Sequence, residues 1–283
     1  MKTLVLANQK GGVGKSAIAT QFAFFMAHRG KRVLHVDLDH QGNSSTAIIK
    51  SGLAKVAAYS ASEVLAGGVT ALPDAAFVVI AGDTVLSTLE RQPCRHNAFV
   101  ASLRDFLHAV AGHFDVCVID TNPNPDIRYA AALIVADFLL SPVELNQEAL
   151  DGILALLDHP RYGMYKIKRV MNPELRFIGL LPNLVEATPF QRANLAQLVT
   201  SYARFLIALP GGSHRYAFVP ARTAIAEAQA CGSPLWQLRY AVSSPEEGAI
   251  DPKTMPLRTA AREAWREVRP VFDEIERQME MGS

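Results

Sequence analysis

Thr3-Leu4-Val5-Leu6-Ala7-Asn8-Gln9-Lys10-Gly11-Gly12-Val13-Gly14-Lys15-Ser16 is the stretch that decides the fold. Residues 3–7 are continuously apolar apart from Thr3 and read as a buried strand, and a helical pattern begins near Lys15. Between them lies a glycine-rich loop. Glycines let the backbone curl so that successive N–H groups face phosphate oxygens, and the helix that follows adds the partial positive charge of its N-terminus. Lys15 is spaced to reach the β- and γ-phosphates, and the Ser16 hydroxyl to ligate Mg²⁺. Gly11, Gly12, Val13, Gly14, Lys15, Ser16 and Ala17 are therefore expected to cradle ATP with Mg²⁺.

The loop departs from the ordinary pattern in one respect. The usual glycine six positions before the lysine is Gln9, and a second lysine, Lys10, stands inside the loop. An ammonium on a long, mobile stem can fold back on its own nucleotide or reach one bound by another subunit.

Outward from this loop, short apolar runs alternate with helical patterns. Strands are expected at 3–7, 32–36, 77–81, 116–119, 138–141, 177–181 and 216–219. Helices are expected at 16–29, 97–111, 126–136, 149–157, 189–208, 223–230 and 256–279. Runs such as Val116-Cys117-Val118-Ile119 have no polar alternation, the mark of strands buried on both faces in a parallel sheet. The alternation predicts a doubly wound α/β fold, mainly parallel, with helices on both faces. Residues 1–283 are read as a single domain, with a polar loop at 243–253 before a terminal helix.

Composition sets bounds. The chain has 283 residues, 49% of them hydrophobic, with 19% charged and a net charge of +1. That excludes a disordered chain and a wholesale polyanion binder. No apolar run is long enough to span a bilayer, and no signal peptide is expected. Three scattered cysteines make a disulfide framework or zinc site improbable and fit a reducing cytoplasm. The charge is unevenly spread. Residues 151–240 carry 10 Lys and Arg against 5 Asp and Glu, and Arg161, Lys166, Lys168 and Arg169 cluster around Tyr162 and Tyr165. Lysines and arginines without base-reading geometry suit salt-sensitive, sequence-independent contacts to nucleic-acid phosphates.

Two acidic motifs complete the candidate site. Asp37-Leu38-Asp39-His40-Gln41-Gly42-Asn43 follows the second strand, at the sheet edge where open α/β folds bind ligands. A carboxylate there can orient water for attack on a γ-phosphate or hold Mg²⁺ through water. Phe114-Asp115-Val116-Cys117-Val118-Ile119-Asp120 is an apolar strand ending in a carboxylate, as in a Walker B motif, and assigns Asp120 to the metal together with Ser16 and Asp37.

These motifs together resemble the ParA/MinD family of deviant P-loop ATPases, in the partitioning branch without an N-terminal helix-turn-helix. The family form D-x-D-P-Q-G-N matches except for His40 in place of proline. The Walker B continuation is Thr121-Asn122-Pro123-Asn124-Pro125 rather than the family's two prolines. Glu144 and Asn146 stand where the family has Gln and Glu. Val219-Pro220-Ala221-Arg222 and Leu181-Pro182-Asn183 resemble stretches that border the adenine. The likeness covers about residues 1–240. It implies that Lys10 crosses an ATP-dependent homodimer interface, that Asp39 positions the attacking water, and that Lys10, Lys15 and Asp39 carry catalysis. It also implies that Asn183, Pro220 and Arg222 border the base.

The resemblance further implies an ATP-sandwich dimer that binds DNA non-specifically and drives plasmid or chromosome partitioning in the cytoplasm, on the nucleoid. A ParB-like centromere-binding protein or analogous activator would stimulate its weak hydrolysis. The alternative is a MinD-like, membrane-associated or other cargo-positioning ATPase. For membrane binding the terminal helix is too acidic, with Glu263, Glu267, Asp273, Glu274, Glu276 and Glu280 among Trp265, Val268, Val271, Phe272, Ile275 and Met279. No membrane partner is expected.

Overall fold

Alternate residues of the first strand, β1 (Lys2–Leu6), feed two different cores. Leu4 and Leu6 enter one, and Val5 and the following Ala7 enter the other. The computed structural model describes residues 1–146, 149–211, 215–239 and 258–281. Among these, β2 (Val33–Asp37), β3 (Lys55–Val56), β4 (Phe77–Ile80), β5 (Val116–Asp120), β6 (Phe138–Glu144) and β7 (Arg176–Asn183) join β1 in one sheet. Its order is β3-β4-β2-β5-β1-β6-β7, and every pairing is parallel. The expected doubly wound α/β architecture is therefore the observed one.

Helices cover both faces. On one face lie α1 (Lys15–His28), α2 (Asn43–Ser51), α9 (Thr223–Cys231) and α10 (Thr259–Met281). The other carries α3 (Ala61–Ala66), α4 (His96–Val110), α5 (Ile127–Val135), α6 (Ala149–Asp158), α7 (Met164–Val170) and α8 (Pro189–Tyr202). Helix α1 threads between sheet and outer helices, so residues 18–26 are all buried. Helix α10 lays Ala264, Val268, Phe272 and Ile275 into the core, and Phe272 meets the Phe22 ring edge-on at 5.4 Å. Its apolar stripe is thus used up inside the protein. Ion pairs from Arg29 to Glu276 and from Arg222 to Glu267 flank the seam.

Several elements differ from the sequence reading. Residues 216–219 form no strand; only isolated bridges join Ala208 to Tyr216 and Val185 to Pro220. The helix expected at 189–208 stops at Tyr202, because Leu206 is drawn to the edge of β7 beside Leu180. Gly179 permits that approach: a Cβ there would lie 2.6 Å from the Phe205 carbonyl. Helices α2, α3 and α7 and the short β3 had no apolar period long enough to announce them. The loop expected at 243–253 lies outside the described residues.

Candidate functional site

The strand register creates the site. Leu6 pairs with Asp120 and Asp120 pairs with Asp37, so the ends of β1, β5 and β2 share one edge. The loop after β1 curls over that edge through Gly12 and Gly14, both at positive φ, 80° and 85°. Gly14 has a second reason to be glycine. A Cβ there would fall 2.1 Å from Asn183 Nδ2. That same Nδ2 donates to the Val13 carbonyl at 2.8 Å, so β7 braces the loop from outside.

The departures of this loop find partners. Asn8 accepts from the Lys10 amide at 2.8 Å and donates to the Pro142 carbonyl of β6 at 2.9 Å. Gln9, where glycine is usual, donates to the Ala155 carbonyl of α6 at 3.1 Å. The Lys10 ammonium donates to Asn146 Oδ1 at 2.8 Å, and Asn146 donates to Glu144 at 3.0 Å. Lys15 instead stays within the loop, its ammonium on the Lys10 carbonyl at 3.1 Å. Burial lowers the Lys15 pKa, against the pull of Asp120 and Asp39.

Asp37 and Asp120 have opposite surroundings. Asp37 accepts from the Asp39 amide (3.0 Å), the Ser45 amide (2.9 Å) and the Ser45 hydroxyl (2.8 Å), so both its oxygens are engaged. Burial still raises its pKa. Neither oxygen of the fully buried Asp120 accepts a hydrogen bond. Burial first, and then the Asp37 charge, push Asp120 up to about 7; the nearby Ser16 and Ser44 hydroxyls and Lys15 temper the shift.

A cleft of about 660 Å³ opens beside these groups, lined by Gly11, Gly12, Gly14, Lys15, Ser16, Ala17 and Asp39 among the expected residues. It is also lined by Asn43, Thr46 and Lys50 of α2, by Pro123 and Asn124, and by Gln229 of α9. Of the expected residues, Lys10, Val13, Asp37, Asp120, Asn183, Pro220 and Arg222 do not line it. Arg222 is engaged with Glu267 at 2.7 Å, and Asn183 with the loop backbone. Sequence reasoning did not single out Ser44, Ser45 or Gln229. The polar run Asn43-Ser44-Ser45-Thr46 after the Asp37 loop was the available signal for a helix N-terminus at the site.

The arrangement offers a backbone anion cradle, a lysine inside it, a hydroxyl at the helix start and a buried carboxylate with two open lone-pair sets. That is the donor set of a phosphate and hard-cation site. Comparison with known proteins points the same way. The profile of an AAA domain family (AAA_31) matches residues 1–177. The chain is 33% identical over 290 residues to Protein IncC of Escherichia coli, covering all of this chain and 71% of that one. It is 30% identical over 245 residues to the chromosome-partitioning ATPase Soj of Thermus thermophilus, covering 87% and 90% of the two chains. In fold it is similar to McdA of Cyanothece, solved in complex with ATP, with a TM-score of 0.68 at 18% identity over 95% of this chain and 96% of that one. A deviant glycine-rich loop, paired strand-end aspartates and this extent of likeness together place the chain in the ParA/MinD family of P-loop ATPases.

Proposed function

We propose that the chain is a ParA-like ATPase acting as a DNA-cargo switch. It binds ATP with Mg²⁺ and closes into a homodimer around two nucleotides. The dimer holds DNA without regard to sequence and partitions a plasmid or chromosome. A ParB-like partner, or an analogous activator, stimulates its slow hydrolysis, in the cytoplasm and on the nucleoid. The observation that carries this reading is the position of Lys10. Its ammonium is held by Asn146, off its own cradle, where it can serve a nucleotide across an interface.

Each residue then has a task. The amides of Gly11, Gly12 and Gly14 and the Lys15 ammonium bind the β- and γ-phosphates. Ser16 and Asp120 would hold Mg²⁺, directly or through its water shell, and the unpartnered oxygens of buried Asp120 fit that role. Bound Mg²⁺ supplies neutralisation of phosphate charge. Asp37, expected beside the metal, has both oxygens hydrogen-bonded and fixes the loop that carries Asp39, with one lone-pair site left toward a metal-bound water. Asp39 orients water for in-line attack on the γ-phosphorus as the bond to the β–γ bridging oxygen breaks and ADP leaves. Asn183, Pro220 and Arg222 border the adenine from the far side of the loop.

The DNA surface is assigned to the corner of α6 and α7. Tyr165, Lys166, Lys168 and Arg169 line one cavity of about 760 Å³ there with His159. Lys166 and Lys168 donate to the carbonyls of Pro160 and Leu175, while the Arg161 side chain remains 60% exposed. The test is retention of non-specific duplex DNA with ATP, ADP and no nucleotide across a salt series. Retention with ATP alone, weakening steeply as salt rises, is expected. Retention without ATP, or none at all, overturns the reading. Co-sedimentation with anionic vesicles would favour the membrane alternative; burial of the α10 stripe argues against it. Among the described residues, no helix is long and apolar enough to cross a membrane.

A further inference from the structure

The loop after β5 and the loop after β2 are joined by a chain of polar contacts at the wall of the cleft, which His40 and Gln41 line. Asp126 caps α5 by accepting from the amide of Arg128 at 3.0 Å, and its carboxylate also binds that residue's guanidinium through Nε (3.0 Å) and Nη2. Asn122, in the loop after β5, donates to the same carboxylate at 3.0 Å. Both ends of this pair are buried: Arg128 is 4% exposed and Asp126 7%. One guanidinium nitrogen is left over. Arg128 Nη1 lies 3.2 Å from His40 Nδ1, and that ring nitrogen lies 3.2 Å from Asp39 Oδ1.

The geometry has a chemical consequence. A guanidinium can only donate and a carboxylate can only accept, whereas Nδ1 carries either a proton or a lone pair. With a lone pair it takes the Arg128 N–H; with a proton it donates to Asp39. Gln41, whose side-chain nitrogen lies 2.8 Å from the opposite ring nitrogen, donates to it when Nδ1 carries the proton, and accepts from it through its amide oxygen, by turning over, when Nδ1 does not. Asp39 Oδ1 also accepts from the Gln41 amide at 3.0 Å. His40 thus ties the turn that presents Asp39 to the cleft in one tautomer, and is itself tied to a buried arginine on a different element in the other. Where the family motif has a proline, whose ring stiffens the chain, this protein has hydrogen bonds instead.

We propose that Arg128 and His40 are positioning residues for Asp39, setting the angle at which its carboxylate meets the attacking water. The proposal rests on the reading of Asp39 as the water-orienting group. Displacing such a group by a fraction of an ångström slows chemistry without weakening ground-state binding.

The experiment measures single-turnover ATP hydrolysis and Mg·ATP affinity for H40A, R128M, R128K, H40P, the H40A/R128M double variant and D39A. H40A and R128M are each expected to slow turnover about tenfold while Mg·ATP affinity stays within about twofold. The double variant should be no slower than either single one, since both break the same chain of contacts. R128K, which keeps the charge and loses the fork, should fall between wild type and R128M. H40P should recover turnover by stiffening the turn covalently. Wild-type turnover in H40A and R128M, or losses that multiply in the double variant, overturns the proposal. His40 is partly exposed, so H40A decides the matter even if R128M does not fold. If D39A itself turns over normally, the reading of Asp39 fails and the proposal with it. If D39A is slow while H40A and R128M are not, the proposal alone fails.

Discussion

Asp37 and Asp120 face each other in register at the ends of neighbouring parallel strands, yet the Asp39 and Ser45 donors all go to the carboxylate of Asp37. The Asp120 carboxylate is buried without a hydrogen-bond partner in place, with only the Ser16 and Ser44 hydroxyls and Lys15 nearby. Two adjacent carboxylates of the same strand-end type therefore do different work. One builds a loop, and the other keeps its lone pairs for a cation.

Substituting each in turn should separate the two roles. D37N puts an NH₂ group against N–H donors and should cost about 2–3 kcal/mol of stability, measured by urea unfolding. D120N removes an unpaired buried charge, so at pH 8 it should be at least as stable as wild type. Its Mg²⁺-dependent gain in ATP affinity should be lost. Equal unfolding curves for D37N and wild type would refute the assignment of Asp37 to the loop.

Acid stability should carry the signature of His35. This ring is fully buried on β2 beside the Ser44 hydroxyl at 2.9 Å, and burial lowers its pKa to about 3. The unfolded chain binds the proton near pH 6.5 and the folded one near 3. The folded state is therefore fully favoured above 6.5 and loses stability as pH falls toward 3. Asp120, raised to about 7, has the opposite sign between its unfolded and folded values, so the comparison must be made against a variant. Relative to H35Q, wild type should lose about 1.4 kcal/mol per pH unit below pH 6.5. Parallel stability–pH curves for the two proteins would exclude it.

Gly14 should tolerate no side chain. G14A combines a positive φ with a steric clash at Asn183, and should cost about 1–3 kcal/mol along with nucleotide binding. N183A should restore part of the stability in the double variant, by removing the clash and leaving the backbone strain. No recovery would mean that the strain dominates.

The two lysines of the loop should fail differently. K15A should lose nucleotide binding. K10A should keep nucleotide and fail to dimerise with ATP, read by sedimentation velocity. A normal ATP-dependent dimer in K10A would remove Lys10 from the interface.

Helix α10 should be part of the folded core and not an appendage. F272A empties a site fully buried between Phe22 and Phe25 and should cost about 3–5 kcal/mol by urea unfolding. A change under about 1 kcal/mol would show that the helix is dispensable.

Much of this protein was legible in its sequence because the informative features are local. The glycine loop, Lys15, Ser16 and the strands ending at Asp37 and Asp120 lie within short windows where backbone geometry and residue type speak together. The continuous apolar strands announced a parallel sheet, since only burial on both faces tolerates them. Tertiary structure decided what depends on elements distant in the chain. It brought Asn183 against Gly14, Asn146 to Lys10 and Arg128 to His40, across separations of 169, 136 and 88 residues. It also divided Asp37 from Asp120. Both end apolar strands, and the donors to Asp37 come from the turn and helix that follow it, but only the register of β2 with β5 sets Asp120 beside that group of donors without sharing them, and that register is a fact of packing between strands about 80 residues apart.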